Sequence, residues 1–140
     1  MSERISLVEQ LHGLPCSGVI AVTGGAALLL ADLLTVSGAS ATVLEARVPY
    51  AAAALANFIG ATPERACSVE TACDMAMAAW TRALALDGAQ PQHRFGLGCT
   101  ASLATTARKR GEHHVHIALQ TLAETRTWSL TLIKNARDRL

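Results

Sequence analysis

Val19-Ile20-Ala21-Val22 is a continuous apolar run, mostly β-branched, with Ser17-Gly18 before it and Thr23-Gly24-Gly25 after it. A strand with one wet face alternates apolar and polar residues. An unbroken short run reads instead as a strand buried on both faces, which requires a layer of structure on each side and favours parallel neighbours joined by helices. The flanking segments agree. Residues 2–14 place Ile5, Val8 and Leu11, with Leu7 and Leu14, on one helical stripe that Pro15 to Gly18 breaks. Residues 26–36 are apolar nearly all round, with Asp32 the only charge, so this helix should be covered by the sheet and by something else, a subunit interface being the natural candidate.

Residues 37–40 read as a turn. Residues 42–48 alternate, Leu44, Ala46 and Val48 against Val43, Glu45 and Arg47, which predicts a strand. Pro49 ends it, and a helix over 51–59 buries Leu55, Phe58 and Ile59 before Gly60 stops it. Ser68 is a suitable N-cap, with Glu70 in the first turn, for a helix to about residue 86 that keeps Val69, Ala72, Cys73, Ala76, Trp80, Ala83 and Leu84 at helical spacing. A loop over 87–93 leads to a strand over 94–99, then to a polar, basic loop over 100–112. Residues 113–122 and 127–133 alternate around the spacer Ala123-Glu124-Thr125-Arg126 and predict a hairpin. Helices between early strands and a late hairpin give an α/β fold, a three-layer α/β/α sandwich with a mixed sheet. At 140 residues the chain is expected to be one domain spanning 1–140.

Composition excludes several classes. The chain is 51% apolar, but 27 of its residues are alanine, a helix former. Its longest apolar stretch, 18–31, is 14 residues long and interrupted by Thr23-Gly24-Gly25, whereas a membrane-spanning helix needs about 20. Residues 1–10 mix both charge signs and lack an apolar signal core, so the default expectation is a cytoplasmic protein with no membrane partner. A net charge of +1 and five Phe, Trp and Tyr residues offer little for nucleic acid. Cys16, Cys67, Cys73 and Cys99 are dispersed without a CxxC pair and read as reduced thiols.

The strand, Thr23-Gly24-Gly25, helix order is one in which backbone N–H groups at a helix start can hold an anion, an ordinary turn being the competing reading. Gly96-Leu97-Gly98-Cys99-Thr100-Ala101 fits G-x-G-x-x-A, but the segment after it is polar and basic rather than an amphipathic helix, so the dinucleotide context fails. If the strands at 19–22 and 94–99 are neighbours, the loops after them share a crevice at the sheet edge where open α/β folds bind ligands. Arg108-Lys109-Arg110 can meet a phosphate there, or simply be solvated. Glu112, His114 and His116 share a strand face at a spacing that can present metal ligands, but an exposed face carrying two histidines is the reading we adopt, with no metal and no cofactor. There is no nucleophile elbow and no P-loop.

In the order of these motifs the chain resembles the CinA C-terminal domain family, whose enzymes deamidate nicotinamide mononucleotide. The family's strand leading into Glu-Ser-small-Thr-Gly-Gly matches Val19 to Gly25. Its strand ending in Tyr matches Val48-Pro49-Tyr50, its Val-Ser-x-Glu-x-Ala helix opening matches Ser68 to Ala76, and its Gly-rich loop and the strand after it match Gly96 to Ala104 and Gly111 to Thr121. Lys134 to Arg139 resembles the Gly-Asp-Arg segment that opens the family's last helix, so the resemblance implies that this helix is missing here or belongs to a longer protein. The reaction so implied is metal-free amide hydrolysis by a nucleophilic Ser with Lys and Tyr nearby.

The departures matter as much. The nucleophile position falls on Ala21, with Ile20 where the family has Glu, and the Lys position falls on Leu55. Tyr50 alone remains of the set, with the Thr23 hydroxyl as a substitute nucleophile. The expected reading is a domain with weakened or lost catalysis that keeps a pocket for a small nucleotide-like molecule, with Tyr50 and Thr23 as catalytic candidates. The ligand-binding candidates are Thr23, Gly24, Gly25, Gly98, Thr100, Ser102, Arg108 and Arg110. The alternative is a non-enzymatic module that self-associates, through the 26–36 helix, or binds a partner.

Overall fold

The computed structural model describes residues 2–25, 27–102 and 113–132. Its main elements are α1 (Ser2–His12), β1 (Ser17–Gly24), α2 (Ala27–Thr35), α3 (Ala39–Thr42), β2 (Val43–Arg47), α4 (Ala52–Ile59), α5 (Val69–Leu86), β3 (Arg94–Ser102), β4 (His113–Gln120) and β5 (Thr125–Leu132). The strands form one mixed sheet in the order β2-β1-β3-β4-β5, the first three parallel and the last two antiparallel.

The unbroken run in β1 is buried on both faces, as its composition requires. Ile20 and Val22 join Val8 of α1, Leu33 of α2 and Cys99 of β3 in one core. Val19 and Ala21 face the other way, packed with Ala79, Ala83, Leu55 and Met75 of α4 and α5. Alternate residues of one strand thus supply the cores of both helical layers, and the result is a three-layer α/β/α sandwich.

Helix α5 is the helix that the sequence defines best. Ser68 caps it, its hydroxyl accepting from the Thr71 N–H at 3.1 Å, and Glu70 lies in the first turn. It lies on the sheet through alanine: Ala72, Ala76, Ala79 and Ala83 are each 0% exposed. Facing them on β3 are Gly96 and Gly98. A methyl added at Gly96 would sit 2.2 Å from the Ala76 carbonyl oxygen, and one at Gly98 would sit 2.4 Å from that of Ala72. The G-x-G pair is therefore a packing device that lets helix and strand backbones nearly touch. No helix among the described residues is long and apolar enough to cross a membrane.

Several expectations shift. The predicted turn over 37–40 runs into the short helix α3, which starts after Gly38 in the left-handed region (φ 98°). The stripe on α1 buries Val8 but leaves Leu7, Leu11 and Leu14 about half exposed. His12 is buried in their stead, its ring nitrogens meeting Thr42 Oγ1 at 2.6 Å and the Leu33 carbonyl at 2.9 Å. A polar side chain that tethers three helices has no apolar periodicity to announce it. β3 continues through Ser102, so Thr100 belongs to a strand rather than to the predicted loop, because its backbone keeps pairing with Thr23 and His116 on both sides. The hairpin spacer is 121–124, shifted by two residues from the predicted one, because Thr121 turns back onto Glu124. Leu33 of α2 is buried and Leu34 is 50% exposed.

Candidate functional site

The parallel register brings the carboxyl ends of β1, β2 and β3 to one edge. Thr23 is level with Thr100 and Gly24 with Ala101, while Ala21 is level with Arg47 near the end of β2. The expected neighbours, the turn after β1 and the end of β3, therefore do share this edge, where ligands of open α/β sheets bind. Helix α4 starts just beyond Tyr50, and α5 is anchored here by its lead-in, since the Thr100 hydroxyl donates to the Ala66 carbonyl at 2.9 Å.

At the centre of the edge is a relay of hydroxyls. Thr23 Oγ1 donates to Thr100 Oγ1 at 2.9 Å, and Thr100 passes its own proton on to Ala66 O. Both side chains are buried, at 7% and 1% exposure. The Gly25 N–H donates to the Ala101 carbonyl at 3.4 Å. The Thr-Gly-Gly turn thus spends a hydroxyl and an amide on tying β1 to β3, and among the described residues the Thr23 hydroxyl is bonded to Thr100 rather than to a base. Tyr50 stands 77% exposed on the rim. Ser102 is half-buried at the end of β3, and Gly98 lies further down the strand, beneath α5. Gly24 closes β1. Arg108 and Arg110, like Glu112 and the rest of 103–112, lie outside the described residues.

The helix starts differ in what they offer an anion. Ala51 precedes α4 without a side-chain cap, and residues 51–54 are exposed, so the first amides of α4 face solvent beside Tyr50. At α5 the Ser68 hydroxyl already occupies one of those amides and the Glu70 carboxylate opposes negative charge.

One step below the edge, the positions that the resemblance assigns to the nucleophile and its lysine lie in a single cluster. Ala21 is 0% exposed and Leu55 3%, and together with Met75, 0% exposed, they form one buried apolar group flanked by Phe58 and Ile59. Where a hydroxyl and an amine would meet, this chain has a methyl, an isobutyl and a thioether. Met75 was not legible as part of this site, since a methionine at helical spacing reads as ordinary core.

His114 and His116 share the polar face of β4 with parallel rings 6.4 Å apart, and His116 Nδ1 meets Ser129 Oγ at 2.8 Å. Burial, with the neighbouring His114, pushes the ionisation of His116 below its usual range. Among the described residues no group of three or more His, Cys, Asp or Glu side chains is placed to hold a metal. No disulfide joins the four cysteines, and burial, with a smaller contribution from Cys67, pushes the Cys99 thiol up to about 11, which leaves it an unreactive core residue.

No family model matches the chain, and no curated protein matches its sequence. Solved structures do match. The competence/damage-inducible protein CihA from Agrobacterium tumefaciens superposes with a TM-score of 0.65 at 21% identity, over 95% of this chain and 80% of that one. The competence damage-inducible protein A from Klebsiella pneumoniae gives 0.62 at 18% identity, over 91% and 80%. A CinA superfamily protein from Escherichia coli gives 0.60 at 13% identity, over 91% and 73%. By its superposition on these structures, the chain has the fold of the CinA superfamily proteins.

Proposed function

We propose that this chain is a CinA-like ligand-binding domain without the deamidase chemistry, taking a small nucleotide-like molecule at the carboxyl edge of β1, β2 and β3. The observation that carries this reading is the Ala21, Leu55 and Met75 cluster. Hydrolysis of an amide by acyl transfer needs a hydroxyl with a base beside it, and donors for the oxyanion. A methyl group at the centre of β1 cannot attack, and Leu55 cannot accept a proton. Losing one member of a cooperating nucleophile and base removes several orders of magnitude in rate, and losing both leaves only binding and polarisation. Thr23 does not replace them, because its hydroxyl proton is held by Thr100 in a buried pair.

Binding can outlive the chemistry because it uses different atoms. The uncapped start of α4 presents amides to an anionic group, and Tyr50 offers an exposed ring and hydroxyl beside it. On this reading the Thr23-Gly24-Gly25 turn and Ser102, at the neighbouring ends of β1 and β3, supply the rest of the site.

The test is to incubate the protein in large amount with nicotinamide mononucleotide, follow nicotinic acid mononucleotide by mass spectrometry, and measure binding of the same compound by calorimetry. The reading expects no product above a blank, together with binding that Tyr50→Ala weakens. Turnover abolished by Thr23→Val would overturn the loss of chemistry, and absence of binding would remove the ligand pocket.

A further inference from the structure

The two edges of the sheet are protected very differently. β2 is five residues long, and its Glu45 and Arg47 are joined to each other and, through Glu45, to Arg82. β5 is eight residues long and pairs with β4 in unbroken register from His113 opposite Leu132 to Gln120 opposite Thr125. Its only charged residue is Arg126, neutralised by Glu124 at 2.7 Å, and it contains no proline. Charges, prolines, bulges and short length are the devices that keep an edge strand from pairing with another chain. β5 uses almost none of them.

Both of its faces are also open: every residue over 125–131 is exposed. On one face Trp128 and Leu130, 49% and 53% exposed, extend the half-buried Ile117 and Val115 opposite them. On the other, Thr127, Ser129 and Thr131 continue the polar side of β4. Residues directly opposite in an antiparallel pair share a face, so any partner strand must carry its own apolar and polar residues in matching alternation.

We propose that β5 pairs with β5 of a second copy about a two-fold axis through Ser129, joining two five-stranded sheets into one. In this register Ser129 meets Ser129 of the second copy, Trp128 lies opposite its Leu130, and Thr127 opposite its Thr131. Each cross-strand pair is of a kind that favours sheets, aromatic with aliphatic and hydroxyl with hydroxyl, and Arg126 never faces its own copy. The small serine at the axis lets the backbones approach. The contact is isologous and closes on itself, so it yields a dimer and leaves no free β5 edge for further growth. A contact made by one edge strand is smaller than the standard interface of about 1,600 Å² in total, so the dimer should dissociate within the micromolar range.

Sedimentation of the whole protein across micromolar concentrations should show a reversible shift from 14.7 kDa to twice that mass. Trp128→Lys should raise the dissociation constant at least tenfold while leaving the circular dichroism unchanged. Leu34→Lys, on the exposed side of α2, should leave it as it is. Opposed Cα atoms in such a pair lie about 4.5 to 5.5 Å apart, within disulfide range. Oxidised Ser129→Cys should therefore run as a covalent dimer on a non-reducing gel, whereas the wild type, with its own four cysteines, should not. A monomer at every concentration, larger polymers, or a dimer that Leu34→Lys disrupts and Ser129→Cys does not trap would each overturn the proposal.

Discussion

The hydroxyl of Thr23 donates to the hydroxyl of Thr100 across 2.9 Å, and the pair bridges two parallel strands at the edge where a ligand would enter. Thr100 is the more consequential partner, because it also holds the Ala66 carbonyl ahead of α5. Thr23→Val removes one buried neutral hydrogen bond and should cost about 1 kcal/mol. Thr100→Val strands the Ala66 carbonyl as well and should cost about 2 kcal/mol. Urea unfolding of the two variants checks the order, and equal costs would mean that the Ala66 bond contributes nothing.

Gly98 has no room for a side chain. An added methyl would meet backbone atoms of Ala72 and Ala76 at 2.4 and 2.7 Å, and backbone of a buried helix cannot swing aside as a flexible side chain can. Gly98→Ala should therefore cost at least about 3 kcal/mol, at the upper end for overpacking. Gly60→Ala meets no neighbouring atom and pays only for its left-handed backbone (φ 83°), about 1 kcal/mol. Thermal melts of both variants distinguish the two mechanisms.

Ala21 and Leu55 can be tested as a unit. Leu55→Lys alone buries an ammonium in an apolar cluster and should destabilise by about 3 kcal/mol or more. Ala21→Ser alone buries an unpaired hydroxyl and should cost about 1 to 2 kcal/mol. If the two side chains meet, the double variant should lose at least about 1 kcal/mol less than the sum of the singles. Strict additivity in denaturant unfolding would show that the two positions do not form a pair.

Glu45 gives stability a small acid dependence. The hydrogen bond from Arg82 at 2.9 Å, with the charge of Arg47, outweighs burial and holds its carboxyl below the ordinary value of 4.5. A carboxyl depressed by folding stabilises the native state above its unfolded pKa, and the contribution is lost as pH falls through the lower, folded value. The ion pair is 28% exposed at Glu45 and 41% at Arg82, so solvent screening limits it to less than about 1 kcal/mol. Glu45→Gln should lower stability slightly at pH 7 and flatten the loss below pH 4.5, seen by comparing unfolding midpoints of variant and wild type.

The layers of this fold were legible because their signals are local. The run at 19–22, the cap at Ser68 and the alternation in β4 and β5 each declare a period and a face without reference to distant residues. The site was legible only in part. That Ala21 and Leu55 would share a cluster followed from a resemblance in motif order, not from anything in their own surroundings. The bonds from Thr23 to Thr100 and from Gly25 to Ala101 join residues far apart in the sequence, and no local pattern reveals them. The roles of His12 and Ala66 depend on tertiary hydrogen bonds, which no periodicity records.

The seam between α5 and β3 also sets how the molecule can vary. Its alanines and glycines have no side-chain torsions to freeze, so assembling it costs almost no rotamer entropy, whereas each leucine in a conventional seam gives up about 0.5 to 1 kcal/mol. The same absence leaves no soft coordinate that could absorb an extra methyl. Substitution there is confined to the smallest side chains, and the alanine richness of the chain is in part the record of a helix held against its sheet at backbone distance.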